Sequence, residues 1–383
     1  WKPLPAFMDE RFHSRFTMSF AMTLDQSVRK GRDKHVDIML FWGILFVVMG
    51  HKFQPEYWFF EAYTFHMGFF FFISGYLFKV KNAWSEKLIF IQHKFKSQVL
   101  LYFVFNAFFF ALAYGLRRFD IALTNDFSWH NFFIEPFISG HQNSFMIPSW
   151  FLLNLFLVNV IMQAAYIKST HAFKWGLMAI LTLVALIGMY QGLKKHGGFE
   201  LVLVRTAFAL LFFQLGILVR TYKAQWDKWL LNLLTPLALT GIVLVMMHYF
   251  GPLKYSIVWG SIENERVYIP LISTTLIIFI CYALTSYIAR FIKEDNIMVL
   301  IGQNSFYIMV LHLSIFFLIN VGYYWAGLMP KEELSHIYAC YHVEQTYLLY
   351  EIPAIVLPTL LGLWLKKRRQ PAATSFQSAA VTS

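Results

Sequence analysis

Residues 36–51 read VDIMLFWGILFVVMGH, a run that is apolar almost throughout, with Asp37 near its start and His51 at its end. The apolar residues are not confined to one stripe, as they are in a helix with one wet face, so the run favours surroundings without water on any side. In the hydrocarbon of a bilayer a chain must satisfy its backbone hydrogen bonds internally, which a helix does. The run therefore predicts a membrane-spanning helix with a histidine at one end.

The composition of the whole chain extends this interpretation. Of its 383 residues, 58% are hydrophobic and only 14% are charged, whereas soluble domains carry about 25% charged residues. A span takes about 20 helical residues, and ten runs of the sequence are apolar over such a length. These runs are 37–54, 57–79, 97–116, 149–167, 173–192, 200–221, 229–250, 266–289, 298–325 and 346–365. We therefore expect an all-α, polytopic integral membrane protein with ten transmembrane helices.

Lysine and arginine are distributed unevenly between the two sets of connections. One set holds 23 of the 32 Lys and Arg residues, and the opposite set holds eight. The richer set consists of 1–36, 79–96, 168–174, 220–228, 290–295 and 366–383. By the positive-inside rule, both termini are expected in the cytoplasm. The net charge of +11 then belongs to the inner membrane face, and no nucleic-acid partner is expected.

The same pattern divides the chain into three parts. We expect a cytoplasmic tail at 1–36, a ten-helix transmembrane domain at 37–365 and a disordered cytoplasmic tail at 366–383. The chain has two cysteines and no CxxC pair, so it predicts neither a disulfide framework nor a zinc site. No metal is expected, and the oligomeric state is left open.

Several polar side chains fall inside the predicted spans, where such groups are costly and are functional candidates by default. At a rise of 1.5 Å per residue, His51 and His312 lie about 21 Å from the inner ends of their spans. His66, Arg205 and Asn154 lie about 13, 8 and 7 Å below the outer face. Because the hydrocarbon core is about 30 Å thick, all five fall in its outer half. This shared depth predicts a polar cavity on the outer side.

Each of these residues also has a purely structural interpretation. A histidine at the end of a span is commonly an interfacial or hydrogen-bonded side chain. Arg205 can extend its guanidinium to the outer surface as an anchor, and Asn154 can join two helices by a hydrogen bond. Their coincidence in depth favours function without identifying the chemistry.

Four stretches of the sequence carry a family resemblance. They are 36–51 (VDIMLFWGILFVVMGH), 65–79 (FHMGFFFFISGYLFK), 148–157 (PSWFLLNLFL) and 301–312 (IGQNSFYIMVLH). In this order they resemble the membrane O-acyltransferases of acyltransferase family three, and most of all its fucose 4-O-acetylase-like and polysaccharide O-acetyltransferase branch. The resemblance covers 32–325 in scattered blocks.

The resemblance implies an enzyme of the bacterial inner (plasma) membrane. Such an enzyme takes an acetyl or other short acyl group from cytoplasmic acyl-CoA, with acetyl-CoA as donor substrate, and passes it to a hydroxyl of an extracytoplasmic glycan. It implies that His51 is the essential histidine. Family members commonly carry a basic residue eleven positions earlier, where this chain has Leu40. Either Arg205, Arg32 or Lys34 takes the donor contact, or the donor binds differently, or this member is inactive.

The chemistry of acyl transfer suits these residues. Moving an acyl group from a thioester to an alcohol needs a base, and a histidine titrates near neutral pH. His51 either acts as that base or carries the acyl group as a nucleophile. The oxyanion needs a positioned donor, for which Arg205 is the first candidate, followed by Asn154 and Ser74. His66 either orients His51 or contacts the donor.

Further candidates lie along the route of the donor. Asp37 begins the first span on the inner side, and Gln303, Asn304 and Ser305 begin the ninth, so these residues are expected to contact acyl-CoA. His312 is expected to contact a substrate near the outer side. Four inner-face lysines are candidates for the CoA phosphates, although the positive-inside rule explains them equally well. They are Lys79, Lys81, Lys94 and Lys96.

A glycan or small-molecule exporter or permease without acyl-transfer activity is the alternative. In such a protein, buried histidines and arginines would relay protons or bind the cargo. Inverted repeats or paired broken helices would support it. The sequence shows neither clearly, although Pro353 and Pro358 indicate one broken helix. Transfer of labelled acetyl groups in isolated membranes distinguishes the two functions.

A topology experiment tests the span count and the orientation. We expect a reporter fused after Ser383 to be active only in the cytoplasm. A tag near Asn125 or Lys331 should react with a membrane-impermeant reagent added to intact cells. A cytoplasmic tag near Lys331 would contradict the ten-span assignment, and the shared depth of the polar residues would fall with it.

Overall fold

The computed structural model of the protein is helical almost throughout. It describes residues 33–51, 62–166, 170–191, 198–251, 253, 255–258, 261–262 and 266–368. The expected tails therefore lie outside the described residues, except for 33–36 and 366–368. The one sheet of the described part is a two-stranded antiparallel pair, Tyr255–Ser256 with Ser261–Ile262. The all-α prediction is confirmed.

The described α-helices are labelled here in chain order. They are α1 Lys34–Gly50, α2 His66–Tyr76, α3 Trp84–Lys94, α4 Leu101–Leu116, α5 Glu135–Ile138, α6 Trp150–Ala165, α7 His171–Gln191, α8 Gly198–Thr221, α9 Lys223–Leu230, α10 Leu234–Phe250, α11 Tyr268–Phe291, α12 Ile297–Gln303, α13 Ser305–Trp325 and α14 Val343–Arg368. A π-helical segment, Phe95–Leu100, joins α3 to α4, and Asn304 alone separates α12 from α13.

The long apolar helices are those of a multi-pass membrane protein. Within the described ranges, seven helical stretches are long and apolar enough to cross a membrane, or eight if the bent pair α9 and α10 forms one span. The helices of the first two predicted spans are shorter, with 17 residues in α1 and 11 in α2. At 1.5 Å per residue they measure about 26 and 17 Å. The count of ten spans therefore stays a prediction.

Helices α2 and α8 pack backbone against backbone. A side chain at Gly75 would overlap the Phe213 carbonyl, and one at Gly216 would overlap the Phe72 carbonyl. Small residues at a helix interface permit such an approach, which gains dispersion contacts where no water is present to drive association. This contact holds α2 inside the bundle, with His66 at its outer end.

The inner end of α1 is held in the same way by α12. Gly302 lies against the Asp37 backbone carbonyl, so that no Cβ fits there. The neighbouring Gln303 donates a hydrogen bond from Nε2 to Asp37 Oδ2 over 3.0 Å. Because α1 is a continuous helix, this joint also determines where its outer end lies relative to α13.

Three connections assigned to the outer side contact one another. Lys331 Nζ donates to Asp120 Oδ2 over 2.8 Å, and the Ala122 amide donates to Ser335 Oγ over 3.1 Å. Arg205 joins a third connection, the one containing the short sheet, to the first of these, since it donates to the carbonyls of Ser139 and Ile257. These contacts place the described residues of the connections 117–148, 251–266 and 326–342 on a common side of the bundle, as the assigned alternation of spans requires. The cytoplasmic location of the termini stays a prediction, and inner and outer denote the two sides in that predicted orientation.

The substitution Gly216→Ala tests the packing of α2 against α8. A Cβ at this position would overlap the Phe72 carbonyl and lie 2.6 Å from the Tyr76 nitrogen. Backbone atoms cannot rotate away, so we expect a destabilisation of about 3 kcal/mol or more, the upper end for overpacked sites. The measurement is the yield of monodisperse protein and its melting temperature in detergent.

Gly241→Ala in α10 is the matched control, because no heavy atom lies within 4 Å of the Cβ it would add. We expect this variant to behave as the wild type does. Equal stability of the Gly216→Ala and Gly241→Ala proteins would show that α2 and α8 do not pack this closely.

Candidate active site

Two histidines and a tyrosine stack at the outer end of α1. The His51 ring lies parallel to the His312 ring of α13, with 5.2 Å between ring centroids and 21° between planes. It also stacks with Tyr338 from the outer connection before α14, at 5.3 Å and 18°. Burial raises the pKa of Tyr338, so its phenol stays neutral. His51 thus stacks with rings from two other parts of the chain.

Tyr63 links this stack to the third histidine. Its Oη lies 3.5 Å from His51 Nδ1, and its ring meets the His66 ring edge to face, with 5.2 Å between centroids. Gly50 permits this approach, because a Cβ there would lie 3.2 Å from Ala62 Cβ and 3.4 Å from Tyr63 Cε2. His51, His66 and His312 are therefore brought together, with Tyr63 between the first two.

Backbone carbonyls determine the proton position on two of these imidazoles. His66 Nδ1 lies 2.6 Å from the Ala62 carbonyl, and His312 Nδ1 lies 2.9 Å from the Ile308 carbonyl. A carbonyl only accepts, so each Nδ1 carries the ring proton and donates it. Nε2 is then the basic nitrogen of both rings. His51 acquires the same tautomer if its Nδ1–H points to Tyr63 Oη.

Arg205 lies in a different environment from the histidines. Its guanidinium donates to the carbonyls of Ile257 (3.3 Å), Ile138 (3.3 Å), Ser139 (3.1 Å) and Val258. Its Cζ stands 4.6 Å from the centroid of the Trp150 ring. These carbonyls belong to two outer connections, so Arg205 joins both connections to α8.

His141 lies in the outer connection that Arg205 holds. Burial, and secondly the charge of Arg205, lower the pKa of His141 to about 4. The ring is therefore neutral near neutral pH and does not repel the guanidinium. This arrangement is consistent with Arg205 as a fixed cation under the outer connections.

The other two oxyanion candidates occupy separate places. Asn154 is buried and donates from Nδ2 to Thr206 Oγ1 over 3.0 Å. It lines a small pocket together with Arg205, Trp150 and Phe137. Ser74 is partly exposed on α2, near its inner end. Neither residue has a hydrogen bond to the three histidines.

The predicted donor-contact residues meet at the inner ends of α1 and α13. Asp37 is bound by Gln303, as described above. Asn304 is fully buried at the break between α12 and α13, where Nδ2 donates to the Leu300 carbonyl over 2.7 Å. Ser305 begins α13 and is partly exposed. The inner candidates therefore lie at the opposite end of α1 from His51.

Three aromatic residues near these sites were not predicted from the sequence. Tyr63 and Tyr338 contact His51 from connections whose course the sequence does not reveal. His35, at the inner end of α1, places Nε2 within 2.9 Å of Thr285 Oγ1 and 3.0 Å of Ser286 Oγ. His35 had a detectable signal, because it immediately precedes the apolar run of α1. Its contacts tie α1 to α11.

The described residues contain no group of three or more His, Cys, Asp or Glu side chains arranged to hold a metal ion. The histidine group instead consists of imidazoles, two of them held by carbonyls, beside two phenols. Such a group suits proton transfer, which histidine performs near neutral pH.

The substitution Arg205→Lys tests the role of the arginine. An ammonium is a point charge and cannot reproduce the planar fork that reaches four carbonyls. We expect Arg205→Lys and Arg205→Ala to lower the melting temperature in detergent and to speed proteolysis of the connection at 120–143. Each buried acceptor left unsatisfied costs about 1–3 kcal/mol. Activity should fall in both variants.

The exposed Arg118→Lys variant of the same outer connection is the control, and it should behave as wild type. If Arg205→Lys retained full stability and full protease resistance, the carbonyl contacts would not be what holds the outer connections.

Comparison with known proteins places this architecture in a family. The family model of the acyltransferase domain, acyltransferase family 3, matches residues 33–367. No curated protein and no solved structure matches the chain. The matched range contains α1 to α13 completely and all of α14 except its last residue, Arg368. The chain therefore belongs to acyltransferase family 3, and membrane acyltransferase is the activity that this membership supports.

Proposed function

We propose that the protein moves an acetyl or other short acyl group from cytoplasmic acyl-CoA to a hydroxyl of an extracytoplasmic glycan. The family supports acyl transfer. Transfer to a hydroxyl on the outer side is supported by the position of His51, which stacks on His312 at the outer end of α1. The four sequence stretches support the fucose 4-O-acetylase-like and polysaccharide O-acetyltransferase branch, with the bacterial inner membrane as its location.

His51 is the general base of this proposal. Its Nε2 takes the proton of the acceptor hydroxyl while the hydroxyl oxygen attacks the thioester carbonyl carbon. The C–O bond forms in this attack and gives a tetrahedral intermediate. Its collapse breaks the C–S bond, and the thiol leaves with the proton that the imidazolium returns. The step requires the ring proton of His51 on Nδ1, where Tyr63 Oη, 3.5 Å away, can accept it.

Tyr63 orients His51 in the same step, because its oxygen can accept the proton of His51 Nδ1–H and so leave Nε2 for the reacting hydroxyl. The oxyanion of the tetrahedral intermediate needs a separate donor on the Nε2 side. Arg205, the first candidate for this role, would have to leave its carbonyls to reach an oxyanion, so it is assigned the positioning of the outer connections.

The donor enters from the inner side. Its thioester reaches His51 along α1, whose fourteen-residue path from Asp37 measures about 21 Å. Gln303, Asn304 and Ser305 lie at the inner mouth of this path. The phosphates of CoA bind the inner-face lysines, among which Lys79 and Lys96 are exposed and suited to charge-assisted hydrogen bonds.

Substitution of His51 tests the proposal. We expect His51→Gln, His51→Asn and His51→Ala to reduce transfer about 10² to 10⁴-fold, the usual contribution of a general base. Glutamine and asparagine keep hydrogen bonding but supply no base near neutral pH. The measurement is incorporation of labelled acetyl from acetyl-CoA into glycan, in membranes with matched levels of each variant.

His248→Gln is the matched control, since it makes the same change at an exposed histidine in the last turn of α10. It should transfer at the wild-type rate. Near-normal glycan acetylation by His51→Gln would remove His51 from the chemistry and leave it as an interfacial anchor.

A further inference from the structure

The last helix carries an acidic side chain well inside the bundle. Glu351 is only 6% exposed, and its Oε1 has no hydrogen-bond partner. Other acidic residues of the long helices, Asp37, Glu200 and Glu344, lie in the first turn of their helix. Glu351 lies two turns further in, where a carboxyl group is costly in a bilayer and indicates a function.

No described cation compensates for this cost. Four ion pairs lie among the described residues at Arg117–Asp126, His130–Glu135, Lys223–Asp227 and Lys331–Asp120, and none of these four includes Glu351. Burying a polar group costs free energy unless it is hydrogen-bonded, and hydrogen bonds from donors favour the charged form of a carboxyl group. Within the described residues, Glu351 Oε1 is therefore left able to accept a hydrogen bond from a ligand.

Helix contacts determine where this carboxyl lies. Tyr350 Oη donates to Asn320 Oδ1 over 2.5 Å, and Gly362 lies against the Asn304 side chain. These two contacts fix the antiparallel register of α13 and α14. In that register Glu351 lies about 5 to 10 Å further outward than His312.

The carboxyl also belongs to the face of α14 that looks into the protein. The buried positions Glu351, Ile355, Pro358 and Gly362 follow at intervals of four, three and four residues, which places them on one face of a helix. Since Gly362 contacts Asn304, that face is turned towards α13. Glu351 therefore projects into the bundle and not into lipid.

A continuous series of rings connects this position with the histidines. The Tyr350 ring, one residue from Glu351, lies 5.9 Å from Phe316, and Phe316 lies 5.8 Å from His312. His312 in turn stacks on His51. Glu351 thus lies on the outer side of the histidine group, the side from which an extracytoplasmic acceptor arrives.

From this position we infer that Glu351 binds the acceptor, by accepting hydrogen bonds from hydroxyl groups that flank the reacting hydroxyl. The inference rests on the proposed function. A carboxylate presents two oxygens with about four acceptor sites, which match the adjacent hydroxyls of a sugar ring. Hydrogen bonds to an ionised group are also stronger than neutral ones.

The same carboxylate determines which acceptors are excluded. A sugar with a carboxylate or phosphate beside the reacting hydroxyl would place two negative charges together in a site of low dielectric, which costs binding energy. The acceptor class of Glu351 is therefore a neutral, hydroxyl-rich sugar.

The experiment compares Glu351→Gln and Glu351→Ala with wild type on a panel of methyl glycosides. Methyl fucoside, methyl galactoside and methyl glucoside are the neutral probes, and methyl glucuronide is the anionic counterpart of the glucoside. We expect the KM for neutral acceptors to rise about 10-fold in Glu351→Gln and about 10- to 100-fold in Glu351→Ala, from loss of charge-assisted hydrogen bonds. In Glu351→Gln, the KM for methyl glucuronide divided by the KM for methyl glucoside should be lower than in the wild type.

Two further readouts separate acceptor binding from a structural role. Hydrolysis of acetyl-CoA without sugar, in which water takes the acetyl group and free thiol is released, should be unchanged, since the donor does not meet Glu351. The melting temperature of Glu351→Gln should be equal to or above that of wild type, because the substitution removes a buried group that has no partner. Glu344→Gln, at an exposed acid of the same helix, is the control for all measurements.

Several outcomes would overturn the inference. An unchanged acceptor KM in both variants would do so, and so would a lowered melting temperature with normal kinetics, which indicates a structural acid. Loss of thiol release in Glu351→Gln would move the residue to the donor side. Wild-type protein that consumed no acetyl-CoA with any probe would overturn the proposed function itself.

Discussion

The contact between Gly302 and the Asp37 carbonyl is the constraint on which the site depends. It brings the backbones of α1 and α12 together where no side chain fits. His35 adds a second joint, to Thr285 and Ser286 of α11. The inner end of α1 is therefore held on two sides. Because α1 is one continuous helix, helix geometry then determines the position of His51 beside α13. Contacts at the inner end of α1 therefore determine where the proposed catalytic histidine lies at its outer end.

The low dielectric of the bundle explains why many of its buried polar groups are hydrogen-bonded and why a buried carboxyl with an unbound oxygen is informative. Arg205 is surrounded by four carbonyls, and His66 and His312 each donate to a carbonyl of their own segment. Asn154 has Thr206. Against this background the carboxyl of Glu351 stands out, because it bears the desolvation cost without a described partner. The bound groups thus hold the fold, whereas the unbound carboxyl oxygen of Glu351 can accept a hydrogen bond from a ligand.

The sequence predicted the helical membrane fold and the nearness of three histidines, but it could not predict their partners. Hydrophobic runs report burial in lipid, and a constant rise per residue converts position into depth. Neither shows that Tyr63 contacts His51 or that Arg205 faces carbonyls, because those contacts join segments distant in sequence. The sequence did not predict that α2 is short, because apolar residues flank it within the predicted span 57–79. Glu351 carries the same signal as Arg205, an ionisable group within a predicted span.

At position 40 this chain has a leucine where the family commonly has a basic residue, and the inner end of the bundle shows what surrounds it. Leu40 packs against the hydrophobic core, so no cation enters there. Of the three possible substitutes, Arg32 lies outside the described residues, Lys34 donates to the Ile292 carbonyl, and Arg205 lies at the end of α8 assigned to the outer side. The structure instead brings Lys366 of α14 to the Gln303 carbonyl at 3.3 Å. A cation of the last helix therefore lies where the proposed donor enters. It reaches this place through a contact between α14 and α12, whereas the family commonly has its basic residue on the first helix.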